Sequence, residues 1–420
     1  MQRTVWQKFL LAIVLVSGFV LVAGCGTTTS SSSHAPSPTI SLFSFPTSSQ
    51  SPQRLLSGPD GNLWFLEVDT HKIARLTPSG KISEFSLANA DLSLSTLVVG
   101  PDHNLWLNEG LQGKIARITP AGEIKEFALS NRFDGPRFPT AGPDGNLWFP
   151  VSPHKIARVT SAGVISEFLL PGKNMGDEPS SLVVGPDGNL WGLELEGNSV
   201  DRISMNGSIS VFPIPSIGAG PDNLLVGSDG NLWFTETNTG KIGRMTPGGS
   251  LSEFATSNED GEPDHLLVGP DHNLWFIEME LKKFERITPA GQIREFVDED
   301  AASVLEPPIA GSDGNLWFIQ SDSHQRGQIG RLTPTGKFSV FSMPTANGQP
   351  SDLLLGPDGN LWFAENGTGK IGRITPGGSI TEFGIASTGS SFTSLLFAPN
   401  HTLWFFQKGA SKIGSLTLPS

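Results

Sequence analysis

No tyrosine occurs among the 420 residues, and the chain holds a single cysteine, Cys25. The first absence removes phenolic acid–base chemistry: 26 phenylalanines and 10 tryptophans can pack but cannot titrate. The second excludes an internal disulfide and any cysteine-built metal site. Basic residues are scarce, 28 Lys and Arg against 41 Asp and Glu, for a net charge of −13. Nucleic acid, whose phosphates require a basic face, is therefore not expected as a partner. No segment repeats its apolar residues every 3.6 positions, so the exposed-helix alternative fails. No Asp-x-Asp-x-Asp-Gly loop of the calcium-binding kind is present. The one long apolar run, Leu10 to Val22, is too short for a comfortable membrane span.

That run reads as part of a targeting segment. Arg3 and Lys8 supply a positive start, and Leu21-Val22-Ala23-Gly24-Cys25 places small residues directly before the lone cysteine. This pattern predicts a lipoprotein signal peptide over residues 1–24, with Cys25 as the lipidated new N-terminus. An ordinary signal peptide with an incidental cysteine is the alternative. Residues 25–38 are rich in Ser and Thr, bury too little to order themselves, and read as a tether. The expected location is extracytoplasmic, anchored to a bacterial membrane through the lipid, with residues 39–420 as the folded domain.

What the chain has in abundance is a repeat. Gly-Pro-Asp-Gly-Asn-Leu-Trp-Phe, or a close variant, occurs nine times, with its tryptophans at 64, 106, 148, 191, 233, 275, 317, 362 and 404. A period of about 42 residues indicates a propeller or solenoid. In the eighth copy, Asp352 to Leu355 is a short apolar run and Gly356 to Asn360 a turn. Leu361 to Glu365, Lys370 to Ile374 and Ser379 to Phe383 follow as three more strands between Gly-rich turns. Four antiparallel strands per repeat make one propeller blade. The Leu-Trp-Phe strand is apolar on both faces, as suits a strand covered by a blade on each side.

The ninth copy stops after three strands, while an unpaired Thr39-Ile40-Ser41-Leu42-Phe43 precedes the first. We expect that N-terminal strand to complete the last blade and close the ring, leaving no exposed edge. The predicted fold is an all-β propeller of nine four-stranded blades. A ring of seven blades with a two-blade appendage is the alternative.

The Gly-Pro-Asp-Gly-Asn-Leu-Trp-Phe-x-Glu, Lys-Ile-Gly-Arg-Ile-Thr-Pro and Ile-x-Glu-Phe runs, for example Gly356 to Glu365 with Lys370 to Pro376, resemble the streptogramin (virginiamycin B) lyase family over about residues 39–418. The resemblance implies a propeller and a Mg-dependent elimination that linearises a cyclic depsipeptide by C–O cleavage. It also implies a Glu-Pro-His before a first strand and a Glu after the next Trp-Phe-x. Glu262-Pro263-Asp264-His265 and Trp275-Phe276-Ile277-Glu278 are the matching stretches. By that resemblance Glu262 and Glu278 would hold the metal, and Glu262, Asp264, His265 and Glu278 would form the catalytic set. The histidine position, eleven before the tryptophan, holds Asp264. In the other copies it holds Gln53, Ser95, Arg137, Ser180, Asp222, Glu306, Ser351 and Thr393. His265 stands one residue later, which in a regular strand faces the opposite way.

Other residues have plainer readings. His103, His272 and His401 replace the turn glycine, and His71 and His154 occupy hairpins. His324 lies in a three-residue insertion in copy seven. The third-strand arginine and the glutamate before the fourth-strand phenylalanine recur together and suggest a cross-strand ion pair. The Gly-Pro-Asp-Gly and Thr-Pro-x-Gly turns hardly vary, whereas the loops joining strands four to one and two to three do. Alternate connections share a face, so the variable loops should gather on one side of the ring. Its distinctive loops are Glu259 to His265 and Asp298 to Glu306, both acidic, and Arg132 to Phe138, basic and aromatic.

The reading is a monomeric, lipid-anchored binding module that presents this face to a ligand or protein and needs no cofactor. The alternative is a Mg-dependent lyase or hydrolase acting on a cyclic depsipeptide or lactone.

Overall fold

The computed structural model describes residues 38–46, 52–87, 96–109, 113–171, 179–258, 261–278, 281–298, 303–385, 391–408 and 411–418. The expectations for the signal peptide, Cys25 and the tether up to residue 37, and for Glu259, Asp260, Glu299 and Asp300, fall outside them.

Nine antiparallel sheets form the nine blades. Eight run in sequence order from first strand to fourth, and in all nine the first and fourth strands are the two edges. First strands of successive blades lie against one another, and that of blade 1 (Pro52–Ser57) also meets that of blade 9 (Ser391–Phe397). They are the innermost circle, and the ring is closed. Blade 9 is completed as the sequence predicted: Thr39–Ser44 pairs with Lys412–Thr417 as its outer strand. No seven-plus-two division occurs.

The tryptophan-bearing second strands are buried along their whole length in most blades, for example Leu232–Glu236 and Leu274–Glu278. The core is therefore a set of gaps between blades. Trp64, Leu66 and Ile73 of blade 1 pack with Leu105, Leu107 and Ile118 of blade 2, and the pattern continues around the ring. Each tryptophan stacks on its own blade's fourth-strand phenylalanine, as Trp233 does on Phe254 at 5.7 Å. At the seam Phe43 stacks on Trp404 in the same way.

In blades 1 to 8 the turn at the start of the second strand is held by its aspartate, and in blade 9 by Asn400. Asp229 accepts hydrogen bonds from Asn231 N, Asn231 Nδ2 and Trp233 Nε1 at 2.7–3.1 Å. The turn glycine takes a positive φ, 72° at Gly230, and the histidines that replace it do the same, 57° at His103 and 62° at His272 and His401. These three histidines are turn residues, as expected.

One sequence expectation is corrected. The third-strand arginine does not pair with the fourth-strand glutamate, because the register puts them on opposite faces: Gly243, not Arg244, stands across from Glu253. Arg244 instead lies over the rings of Trp233 and Phe254 and donates to Pro289 O of the next blade at 2.8 Å. Arg75, Arg202, Arg286 and Arg331 make the equivalent bond across to the following blade. Glu253 pairs with Lys241 at 3.3 Å, and Lys72–Glu84 and Lys370–Glu382 repeat that ion pair. The arginine thus joins blades, and the Lys–Glu pair belongs to one blade.

Candidate binding site at the channel mouth

The loops from strand four to strand one and from strand two to strand three meet at one rim of the ring. Two groups of residues build that rim: those eleven and ten before the tryptophan, on the first strand, and the one three after it, at the end of the second.

At the first position the strand is not regular. In blades 1, 5, 6, 8 and 9 the pairing of first and second strands slips by one residue. The extra residue is left-handed: Arg54, Asn223, His265, Asp352 and Ser394 have φ between 52° and 59°. Such bulges re-aim side chains at functional rims, and non-glycine residues adopt this region at a cost. His265 therefore does not follow simple strand alternation, and the expectation that it faces away from Asp264 is corrected. Its Nδ1 lies 3.0 Å from Asp264 Oδ2, and its backbone N donates to Asp264 Oδ1 at 2.7 Å.

The bulges also couple neighbouring blades. Asn223 Nδ2 of blade 5 donates to Asp264 Oδ1 of blade 6 at 2.6 Å. Asp352 N of blade 8 donates to Glu306 Oε1 of blade 7 at 2.9 Å. Glu306, read from sequence as part of an acidic loop, is thus a strand residue tying two blades (Ser303–Ala310). Burial raises its pKa, and the two backbone donors oppose that rise.

The rim is electrically lopsided. Blades 5 to 8 place Asp222, Asp264, Glu306 and Asp352 at the mouth, whereas blades 1 and 3 place Arg54, Arg137 and Phe138 there. The Arg54 guanidinium sits 5.7 Å from the Phe138 ring centre, and Arg132 sits 4.6 Å from that of Phe133, which is 72% exposed. The Arg132 to Phe138 segment interrupts blade 3, whose first strand splits into Gly135–Pro136 and Thr140–Ala141.

The second position carries Glu67, Glu109, Glu194, Glu236, Glu278 and Glu365, with Gln320 and Gln407 in blades 7 and 9. All eight side chains are buried. Burial pushes Glu67, Glu109 and Glu236 up to about 7; a Thr70 hydroxyl opposes the rise at Glu67, and the Glu253 carboxylate adds to it at Glu236. The sequence repeats this glutamate in most copies, but repetition alone does not reveal that it is buried.

The four residues implied by the family resemblance divide accordingly. Asp264 and His265 come together. Glu262 is exposed on the loop before the strand. Glu278 is buried under Gly261, where a Cβ would overlap its carboxylate, and it pairs with Lys283 at 3.5 Å. Lys283 also meets Glu295 at 3.0 Å, and Ser257 bridges Glu295 and Glu285. Among the described residues no three His, Cys, Asp or Glu side chains gather as metal ligands would. With an ammonium on one carboxylate and solvent around the other, Glu262 and Glu278 as placed do not fit a shared divalent ion.

Between blades 3 and 5 the same rim opens into a cleft of about 500 Å3. Arg137, Ser180 and Asp222, the position-eleven residues of three consecutive blades, line it together with Leu193, Leu195 and Asn238. Of the three, the sequence singled out only Arg137, within the basic and aromatic Arg132 to Phe138 loop; Ser180 and Asp222 stood out only as lacking histidine. Comparing them with one another around the ring is the signal that would have found the cleft.

The profile of the virginiamycin B lyase family matches residues 34–178 and 173–419. Among solved structures, a streptogramin B lyase is 24% identical over 91% of this chain and 98% of its own, with a TM-score of 0.47. A catalytically inactive histidine-to-alanine variant of virginiamycin B lyase from Staphylococcus aureus, with quinupristin, is 26% identical over 91% of this chain and 100% of its own, also at 0.47. No curated protein matches the chain.

Proposed function

We propose, from the premise that the chain belongs to the virginiamycin B lyase family, that it is a binding propeller of that family and not a lyase. It takes a ligand or protein on its variable-loop face and is held outside the cytoplasm by a lipid on Cys25. The observation that carries this reading is the state of the inherited catalytic stretch. Asp264 stands at the histidine position, and the adjacent His265 turns its Nδ1 to Asp264. Glu278 is covered by Gly261 and paired with Lys283. A general base must reach the proton it abstracts, and an ammonium beside a carboxylate opposes a second cation there. A closed ring with individually shaped loops suits recognition without those requirements.

The test is direct. Incubated with Mg2+ and a streptogramin B such as quinupristin, the protein should leave the ring intact by mass. A linear product that disappears in His265→Ala would establish the lyase reading instead, with His265 as its base. For the anchor, Cys25→Ser should move the protein from the membrane fraction to the soluble one; unchanged partition would refute lipidation.

A further inference from the structure

The loops that join one blade to the next are fastened to the rim by a recurring device. The loop 214–220 is pinned to blade 5 at Ser216, whose N donates to Glu253 Oε1 at 2.9 Å and whose Oγ accepts from Lys241 Nζ at 2.7 Å. Lys241 also meets Glu253, at 3.3 Å. The loop 343–349 is pinned to blade 8 at Thr345 in the same way. Its N donates to Glu382 Oε1 at 2.8 Å, and Lys370 reaches both its Oγ1 and Glu382 at 2.6 Å. Ser130 on Glu167 and Ser257 on Glu295 repeat the contact in blades 3 and 6. Beside each of the first two pins lies a buried second-strand glutamate, Glu236 or Glu365. Gly348 covers Glu365 so closely that a Cβ there would stand 3.5 Å from Oε2. In blade 5 the loop backbone accepts from Thr237 N and Asn238 N, directly after Glu236. Each glutamate has one oxygen on a threonine hydroxyl, Thr239 or Thr368, and leaves Oε1 without a hydrogen bond.

Each cluster therefore holds two carboxylates and one ammonium. Glu253 and Lys241 are the charged groups that face Glu236, and Glu382 and Lys370 those that face Glu365. The loops 214–220 and 343–349 carry no ionisable side chain. The lysine is already used by the fourth-strand glutamate, so the cluster is neutral only while the buried glutamate keeps its proton. The three residues act as a set: in blade 7 Gln320, Gln328 and Val340 hold the same register positions, and no charge is left at any of them. We infer that Glu236 and Glu365 are proton-operated latches on the loops 214–220 and 343–349: each loop closes over its glutamate while that side chain is neutral and lifts from the rim when it ionises. An unbalanced buried anion needs water, and a local opening of the loop admits it. Burial, then the Glu253 carboxylate, raises Glu236 from 4.5 to about 7. Its folded value lies above the unfolded one, so closure is strongest below about pH 4.5 and weakens as pH rises towards 7. Burial raises Glu365 as well, and its loop follows in the same direction. Ile217, 96% exposed on the first loop, is thus held out firmly in mild acid and freed near neutrality. The latch goes beyond the binding reading and does not depend on it.

Amide hydrogen exchange of the whole protein between about pH 5 and 8, corrected for the intrinsic rate at each pH, reads the loops directly. Protection at Ser216 and Thr345 should fall by about tenfold or more across that range. Glu236→Gln should make Ser216 independent of pH and leave Thr345 as in the wild type; Glu365→Gln should do the converse. Three outcomes overturn the latch: protection in the wild type that does not change with pH, a pH dependence that survives in the loop's own glutamine variant, or a variant that alters both loops alike, as global unfolding would. Glutamine already stands at this position in blades 7 and 9. Should one variant still fail to fold, the wild-type profile and the other variant decide.

Discussion

In six of the nine blades the second strand is flanked by a carboxylate at each end, and the two ends behave oppositely. At the turn end, the aspartate four before the tryptophan is enclosed by donors. Burial alone would raise Asp102, Asp144, Asp187, Asp229 and Asp271, but bonds from the following asparagine and the tryptophan outweigh it and hold them below the usual value. At the loop end, the glutamate three after the tryptophan is buried with too few donors. Glu67, Glu236 and Glu365 each leave Oε1 without a hydrogen bond, and Glu109 leaves both oxygens so. The same residue class, seven positions apart on one strand, is stabilised as an anion at one face and disfavoured as an anion at the other. A carboxylate is held charged by the number of donors aimed at it, not by its depth.

The largest expected effect comes from breaking the satisfied end. Asp229→Ala strands the buried indole N–H of Trp233 and should cost about 2–3 kcal/mol in chemical or thermal unfolding. Next is the unsatisfied end. The folded pKa of Glu236 lies above its unfolded value, so its contribution is full below about pH 4.5 and is lost as pH rises through about 7. Glu236→Gln should therefore stabilise by about 1–3 kcal/mol at pH 8 and by almost nothing at pH 4.5; a pH-independent gain would contradict the raised pKa. Gln320→Glu, in a blade where nature already has the amide, should reverse this with a loss of about 1–2 kcal/mol at pH 8. The turn aspartates shift the other way, with stability present above their unfolded value near 3.8 and lost as pH falls through their lowered folded values. Together the two ends predict a melting temperature that peaks at about pH 4 and declines as pH rises towards 7. The smallest effect is in blade 9, which has neither carboxylate: Asn400 and Gln407 stand in their places. Asn400→Asp should supply the missing anionic acceptor for Trp404 and gain about 0.5–1 kcal/mol.

Much of this was legible in the chain. The period gave nine blades, and the orphan Thr39–Ser44 strand gave the closure. Turn residues gave the positive-φ positions, histidines included. Pairing was less legible. The Arg–Glu motif suggested an ion pair, yet partners in a sheet follow from register, and a one-residue offset sends Arg244 to the next blade and leaves Glu253 to Lys241. The bulge at His265 was hidden for a similar reason: no glycine announces it, and strand alternation fails once the register slips.

The sequence by itself determined the blade, its repetition and the closing of the ring, because turns and hydrophobic periods act over a few residues and recur. Tertiary structure alone decided which carboxylates are anions, which side chains meet across blades, and that Arg137, Ser180 and Asp222 share a cleft. Those depend on residues some 42 positions apart brought together by the curvature of the ring, a distance over which local pattern carries no information.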